Sequence, residues 1–284
     1  MYDAEFSSSA KWILSGEHSV VRGGKAIAFP LRNFSNSLTF EKGDTLSIST
    51  NQKHWRETVL SLLEMAAKFL RASLKQISGY ITLKSNISMQ AGLGSSAAIC
   101  VNIANLFRYY GLCEDVLQLA KHLEDKFHGK SSGLDVAVVQ ANKPIIFREN
   151  KVVEFLKPSF WPPMILTYSG KKSITSICAG VINDIFLANE TLALKLDEQM
   201  SLASCLCEDA LKNSNFNKLK EGIMLGNEVF HRWGLCDIHM SSLIKELLSA
   251  GAVAAKPIGS GLGGYVLSLW EDFPEKYGDI YLTL

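Results

Sequence analysis

The segment Met89-Gln90-Ala91-Gly92-Leu93-Gly94-Ser95-Ser96-Ala97-Ala98 constrains this chain more than any other. A strand-like run, Tyr80-Ile81-Thr82-Leu83, ends just upstream, and an apolar helical pattern (Ala97, Val101, Ala104, Leu106) starts within it. At Gly92 and Gly94 no side chain shields the backbone N–H groups, so an anion can approach them closely. A helix opening at Ser95 and Ser96 adds its unpaired N–H groups and the positive end of its dipole. Strand, glycine turn and helix together make a phosphate cradle. A plain Ser-capped helix after a glycine turn fits the same residues equally well.

The bulk properties narrow the classes. A chain of 284 residues has room for two domains or one large one. Hydrophobic content of 47% and charged content of 20% describe a soluble globular protein. Lys plus Arg at 29 against Asp plus Glu at 28 leaves no basic excess for nucleic acid or an anionic membrane. Met1-Tyr2-Asp3-Ala4-Glu5 has no cationic leader, and no apolar run reaches the ~20 residues of a membrane span, so a cytoplasmic protein is expected. The six cysteines form no C-x-x-C pair and the six histidines no H-x-x-x-H pair, which argues against zinc.

Short strands are expected at Lys11–Ser15, Ala26–Pro30, Ser37–Phe40 and Leu46–Ser49, then a long amphipathic helix from Trp55 to Leu70. Two helices follow the glycine turn, near 95–110 and 114–126, and the polar loop His128–Gly133 leads to an apolar segment at Asp135. Three of the seven prolines fall in residues 157–163, the best candidate linker. Beyond it come a strand at Met164–Tyr168 and helices near 173–188, 190–212, 215–232 and 239–250. A glycine cluster, Gly259–Gly264, and strands at Tyr265–Trp270 and Ile280–Leu284 close the chain. The pattern reads as an α+β protein of two domains, 1–160 and 161–284.

Familiar nucleotide motifs fail. Gly129-Lys130-Ser131 supplies the tail of a P-loop, but its first glycine would fall on Glu124. No Rossmann fingerprint and no protein-kinase signature set is present. Polar residues stand in otherwise apolar places in Lys11-Trp12-Ile13-Leu14-Ser15-Gly16-Glu17-His18-Ser19-Val20-Val21 and in Glu124–Asp135.

Taken in order, these segments resemble the motifs of the GHMP small-molecule kinases. The cradle Ala91-Gly92-Leu93-Gly94-Ser95-Ser96-Ala97-Ala98 is the central one, and Ile258-Gly259-Ser260-Gly261-Leu262-Gly263-Gly264 the last. Between them His128-Gly129-Lys130-Ser131-Ser132-Gly133-Leu134-Asp135 resembles the family's His-Gly-x-Pro-Ser-Gly-x-Asp. Gly16-Glu17-His18-Ser19-Val20-Val21, continuing to Ala28, is most similar to the mevalonate kinases. Three departures bear on backbone rigidity: Ser8-Ser9-Ala10-Lys11 replaces Ala-Pro-Gly-Lys, the residues before the cradle lack the usual Pro and Gly, and Ser131 replaces the loop proline.

The resemblance implies an N-terminal α/β domain with a left-handed βαβ unit and a ferredoxin-like C-terminal α+β domain. It also implies ATP-dependent phosphorylation of (R)-mevalonate to 5-phosphomevalonate for isoprenoid synthesis. A kinase for another small alcohol and a non-catalytic protein on the same fold remain as alternatives. Residues Ala91, Gly92, Leu93, Gly94, Ser95 and Ser96 are expected at ATP, and Ser96 and Glu124 at Mg²⁺. Asp135 is expected as base or orienting group for the acceptor hydroxyl, with Lys11 as its partner. Lys11, Glu17, His18, Asp135 and Thr175 are expected to contact the acceptor, and the family pattern allows a homodimer.

Overall fold

The computed structural model describes residues 2–52, 55–129 and 131–283, so Lys130 of the polar loop lies outside the described residues. Contacts divide the chain into two compact units that interleave along the sequence. One comprises Met1–Lys11, Pro30–Ser88 and Gly94–Asn142; the other comprises Trp12–Phe29, Met89–Leu93 and Lys143–Leu284. This differs from a partition at residue 160, because the strands β1 (Ala4–Ser15) and β2 (Ala26–Lys42) each contribute residues to both units. Strand β2 joins two expected strands in one. Pro30 falls between its pairing with β5, which ends at Ala28, and its pairing with β4, which begins at Asn36, so its missing N–H costs neither ladder.

In the first unit, Asn36–Lys42 of β2 pairs antiparallel with β4 (Gly79–Ser85), and β3 (Ser47–Thr50) pairs parallel with β4. Helix α1 (Trp55–Phe69) joins the two parallel strands, making a βαβ unit with Val59, Leu62, Leu63 and Ala66 buried. Helix α2 (Ser95–Tyr109) is buried on most sides, which its alanines and Cys100 permit. Helices α3 (Val116–His128) and α4 (Leu134–Ala141) complete the unit. Helix α4 reads in the sequence only as an apolar segment, because Leu134, Val136, Ala137, Val138 and Val139 are all buried and leave little polar face to mark a period.

In the second unit, Ala26–Ala28 pairs with β5 (Ile145–Arg148), which forms a hairpin with β6 (Lys151–Phe155). Its turn is Glu149-Asn150, both at positive φ (52° and 60°). A glycine-free turn carries little sequence signal for a hairpin. Strands β7 (Met164–Tyr168), β8 (Ala254–Pro257), β9 (Tyr265–Leu269) and β10 (Ile280–Tyr281) form an antiparallel sheet ordered β10-β7-β9-β8. Helix α8 (Ile238–Ser249) packs Met240, Ile244 and Leu247 with Ile165, Val266 and Trp270 of that sheet region. Helices α5 (Thr175–Ala188), α6 (Glu190–Asn213) and α7 (Phe216–Arg232) enclose Ile182, Leu196, Met200, Val229 and Phe230. The proline-rich stretch 157–163 lies within this unit and is anchored: Trp161 packs edge-on against Trp12 and Phe29, and its Nε1 donates to the Leu282 carbonyl. No helix among the described residues is long and apolar enough to cross a membrane.

Candidate active site

Lys11 sits in the buried half of β1, where every residue from Ala10 to Ser15 is shielded from water. A buried ammonium needs a counter-charge. Asp135 provides it: Lys11 Nζ lies 2.8 Å from Asp135 Oδ2, with the two side chains 3% and 24% exposed. Asp135 occupies the first turn of α4, where the helix dipole favours an anion. Gly94 makes room for the lysine. At φ +76°, a Cβ on Gly94 would stand 2.6 Å from Lys11 Cγ. The cradle glycine and the lysine therefore interlock.

The cradle spans both units in sequence: Ala91, Gly92 and Leu93 belong to the second, Gly94, Ser95 and Ser96 to the first. Gly94 is the N-cap of α2 and no side chain caps the helix, so its leading N–H groups are not taken by a capping side chain. Ser95 Oγ is buried without a hydrogen-bond partner, and Ser96, the next residue, is half-buried.

Glu124, near the C-terminal end of α3, is 1% exposed, and its Oε1 has no hydrogen-bond partner. Burial, and then the charge of Asp135, push its carboxyl up to about 8; Lys11 and the nearby Ser131 hydroxyl act the other way. A buried carboxyl oxygen without a partner, on a group that holds its proton to about pH 8, becomes an anionic oxygen ligand when a cation displaces that proton. That arrangement fits a hard divalent cation, which needs few protein ligands when phosphates and waters supply the rest. Among the described residues no cluster of three or more His, Cys, Asp or Glu could hold a metal, so a dedicated all-protein cage is not built here.

The second unit carries the other expected residues. Glu17 is buried in an ion pair with Lys256 of β8 (2.5 Å, side chains 1% and 0% exposed), and the Lys256 ammonium also lies over the Phe230 ring. Gly226 of α7 leaves the space: a Cβ there would be 3.1 Å from Lys256 Cε. Glu17 thus faces a protein cation at Oε1. His18 follows at φ 59°, ψ −49°, a rarely populated conformation. Its Nε2 donates to the Ser260 carbonyl (2.9 Å), and Thr175 Oγ1 lies 3.3 Å from Ser260 Oγ. Ser260 also meets Ser173 Oγ at 2.7 Å. Lys256 escapes a reading by motif, and Ser260 stands inside the last motif with no role assigned to it by the sequence. Their signals are a lysine within the buried run Ala254–Pro257 and a hydroxyl inside a glycine cluster.

Burial lowers the His18 pKa to about 4, with the Ser260 bond opposing and Arg22 and Asp197 acting as smaller influences. The neutral ring with Nε2–H has Nδ1 as an acceptor. A consequence follows for stability. Between pH 6.5 and 4 the unfolded chain protonates this histidine and the folded chain does not, so stability falls as pH drops through that window. The loss is at most on the order of 3 kcal/mol. Urea unfolding at pH 6.5 and 4.5 should show it, and His18→Gln should remove a matching part of the slope; an unchanged slope would refute a buried neutral imidazole.

A model of the GHMP kinases N terminal domain matches residues 60–142, the span that holds Gly94, Ser95, Ser96, Glu124 and Asp135. The chain is 29% identical over 295 residues to a mevalonate kinase of Pyrococcus furiosus, covering 93% of itself and 88% of that protein. Its fold matches the crystal structure of L. major mevalonate kinase in complex with R-mevalonate, with a TM-score of 0.76 at 18% identity over 95% and 87% of the two chains. It matches a Streptococcus pneumoniae phosphomevalonate kinase as well, with a TM-score of 0.77 at 14% identity over 95% and 93%. Backbone shape therefore establishes the GHMP fold without separating one acceptor from another.

Proposed function

We propose that this chain is a mevalonate kinase, transferring the γ-phosphoryl group of ATP to the primary hydroxyl of (R)-mevalonate to give 5-phosphomevalonate and ADP. The Lys11–Asp135 pair at 2.8 Å carries the reading, since phosphoryl transfer requires a positioned hydroxyl and charge stabilisation more than covalent chemistry. Asp135 is open enough to water to meet an acceptor, and it takes up or orients the hydroxyl proton as the new O–P bond forms. Lys11, held in place by its burial, offsets negative charge on the transferring group. The N–H groups opening α2 receive phosphate oxygens. Glu124 and Ser96 would hold Mg²⁺, which supplies neutralisation of the β- and γ-phosphates when bound.

On the acceptor side, His18 serves as a neutral hydrogen-bonding group, accepting at Nδ1 while Ser260 holds Nε2. Thr175 is the adjacent hydroxyl on the same Ser260 anchor. Glu17, paired with Lys256, acts by holding the Gly16–Ser19 turn. The mevalonate assignment draws on the Gly16–Ala28 segment and on the named sequence relatives. Coupled ADP release with (R)-mevalonate, phosphomevalonate, galactose and homoserine is the test. Mevalonate should give the highest kcat/KM by at least ~10²-fold, the discrimination a site built to hydrogen-bond its substrate can reach. A higher kcat/KM for any of the other three would overturn the acceptor while leaving a kinase.

A further inference from the structure

The loop between α3 and α4 has a glycine at each end, Gly129 (φ 75°) and Gly133 (φ 84°), and it delivers Asp135 two residues later. Positive-φ glycines give a turn freedom rather than stiffness. What restrains this loop is Asp125, on the last turn of α3. Its Oδ1 accepts two hydrogen bonds from Ser131, one from the backbone N–H and one from Oγ, both 2.8 Å. The Lys121 stem lies against Gly133, where a Cβ would be 3.3 Å from Lys121 Cδ, and Lys121 Nζ is 3.7 Å from Asp125 Oδ2. Ser132 Oγ accepts from the Leu134 N–H at the start of α4.

Asp125 stands where a carboxylate is electrostatically unwelcome. It is at a helix C-terminus, next to buried Glu124, whose ionisation it further opposes. Ser131 stands where the motif resembled by this loop has proline. A proline restrains the chain covalently through φ and has no N–H to offer. Serine supplies an N–H and an O–H, and both go to one oxygen of Asp125.

We propose that Asp125 and Ser131 form a hydrogen-bonded lock that positions Asp135 against Lys11, replacing the restraint a proline would give. Asp125 is a positioning residue: it acts through Ser131 and the loop. The inference rests on the kinase reading for its rate effect only.

The test compares Asp125→Ala, Asp125→Asn and Asp125→Ala/Ser131→Pro with the wild type. Each is assayed for kcat and for KM of ATP and mevalonate, and the backbone amides of residues 126–135 are followed by hydrogen exchange. Asp125→Ala should lower kcat at least ~10-fold by displacing the acceptor-facing carboxylate, with KM values changed less. Its loop amides should exchange faster. Asp125→Asn keeps an oxygen acceptor for Ser131 and should stay within about threefold of wild-type kcat, because the lock needs the acceptor rather than the charge. In the double variant the proline ring restores the restraint, and most of the lost kcat should return. Wild-type kcat in Asp125→Ala, equal losses in Asn and Ala, or no recovery with proline would each overturn the lock. If the wild type phosphorylated none of the acceptors, the kinase reading would fall, and hydrogen exchange would still decide the lock: faster in Ala than in Asn supports it, equal rates refute it.

Discussion

Asp135→Asn and Lys11→Met should each lower kcat at least ~10²-fold while ATP affinity changes much less, as expected when an interaction made in the transition state is removed. The two groups are 2.8 Å apart and act as a unit, so the double variant should be little worse than either single one. Their different burial separates the stability effects. Lys11 is 3% exposed and Asp135 24%. Asp135→Asn leaves a buried ammonium facing a neutral amide, at a cost on the order of 1–3 kcal/mol. Lys11→Met leaves a carboxylate that water can reach, and should cost less. The double variant should regain stability without regaining turnover. Coupled ADP release and thermal unfolding read both effects. If Asp135→Asn kept more than about a tenth of wild-type kcat, the proton-accepting role would fail, given the size of general-base contributions. Asp135 would then be the counter-ion of Lys11 and the first-turn acid of α4 only.

Glu124→Gln should trade stability against turnover. The substitution keeps the shape but removes a hard anionic ligand, so kcat should fall at least ~10-fold and the Mg²⁺ requirement shift upward. In metal-free protein the sign for stability is opposite. The Glu124 pKa is raised from 4.5 to about 8 by burial and by Asp135. Below pH 4.5 the carboxyl is protonated whether folded or not, and folding carries no ionisation penalty. As pH rises to about 8 the unfolded chain gives up this proton and the folded chain retains it, so stability is lost across that window. Glutamine has nothing to titrate. The variant should therefore become progressively more stable than metal-free wild type from pH 5 to pH 8, by an amount on the order of 1–3 kcal/mol. Chemical denaturation with chelator present measures it. A wild-type Mg²⁺ titration in the variant would remove Glu124 from the metal site, and a stability difference that does not grow with pH would refute the raised ionisation of its carboxyl.

Much of the fold was legible because its elements have strong local signals. Helix α1 shows its buried face as a period in Val59, Leu62 and Ala66, and α2 announces its start through Gly94, where the chain needs a positive φ. Helix α4, the β5–β6 hairpin and β8 were not legible as such. The first and last are buried almost throughout, which erases periodicity, and the hairpin turns on Glu149-Asn150 rather than on glycine. At the site, Lys11, Glu124 and Asp135 could be named because charged residues in apolar runs ask for a reason, and the ordered motifs supplied one.

The sequence by itself determined the chemistry available: the glycine cradle, a lysine in an apolar strand, two separated carboxylates and a glycine-rich closing segment. Their local conformations follow from backbone sterics and helix termini, which depend on near neighbours in the chain. Only the tertiary structure decided which groups meet. Lys11 pairs with Asp135 across 124 positions of sequence, and Glu17 with Lys256 across 239. It also decided that Glu17 would face a cation inside the protein, that His18 would be neutral, and that Ser131 would find Asp125. Each of those outcomes is set by burial and by long-range pairing of charges and hydrogen bonds. Those energies exist only once distant segments have excluded water from between them.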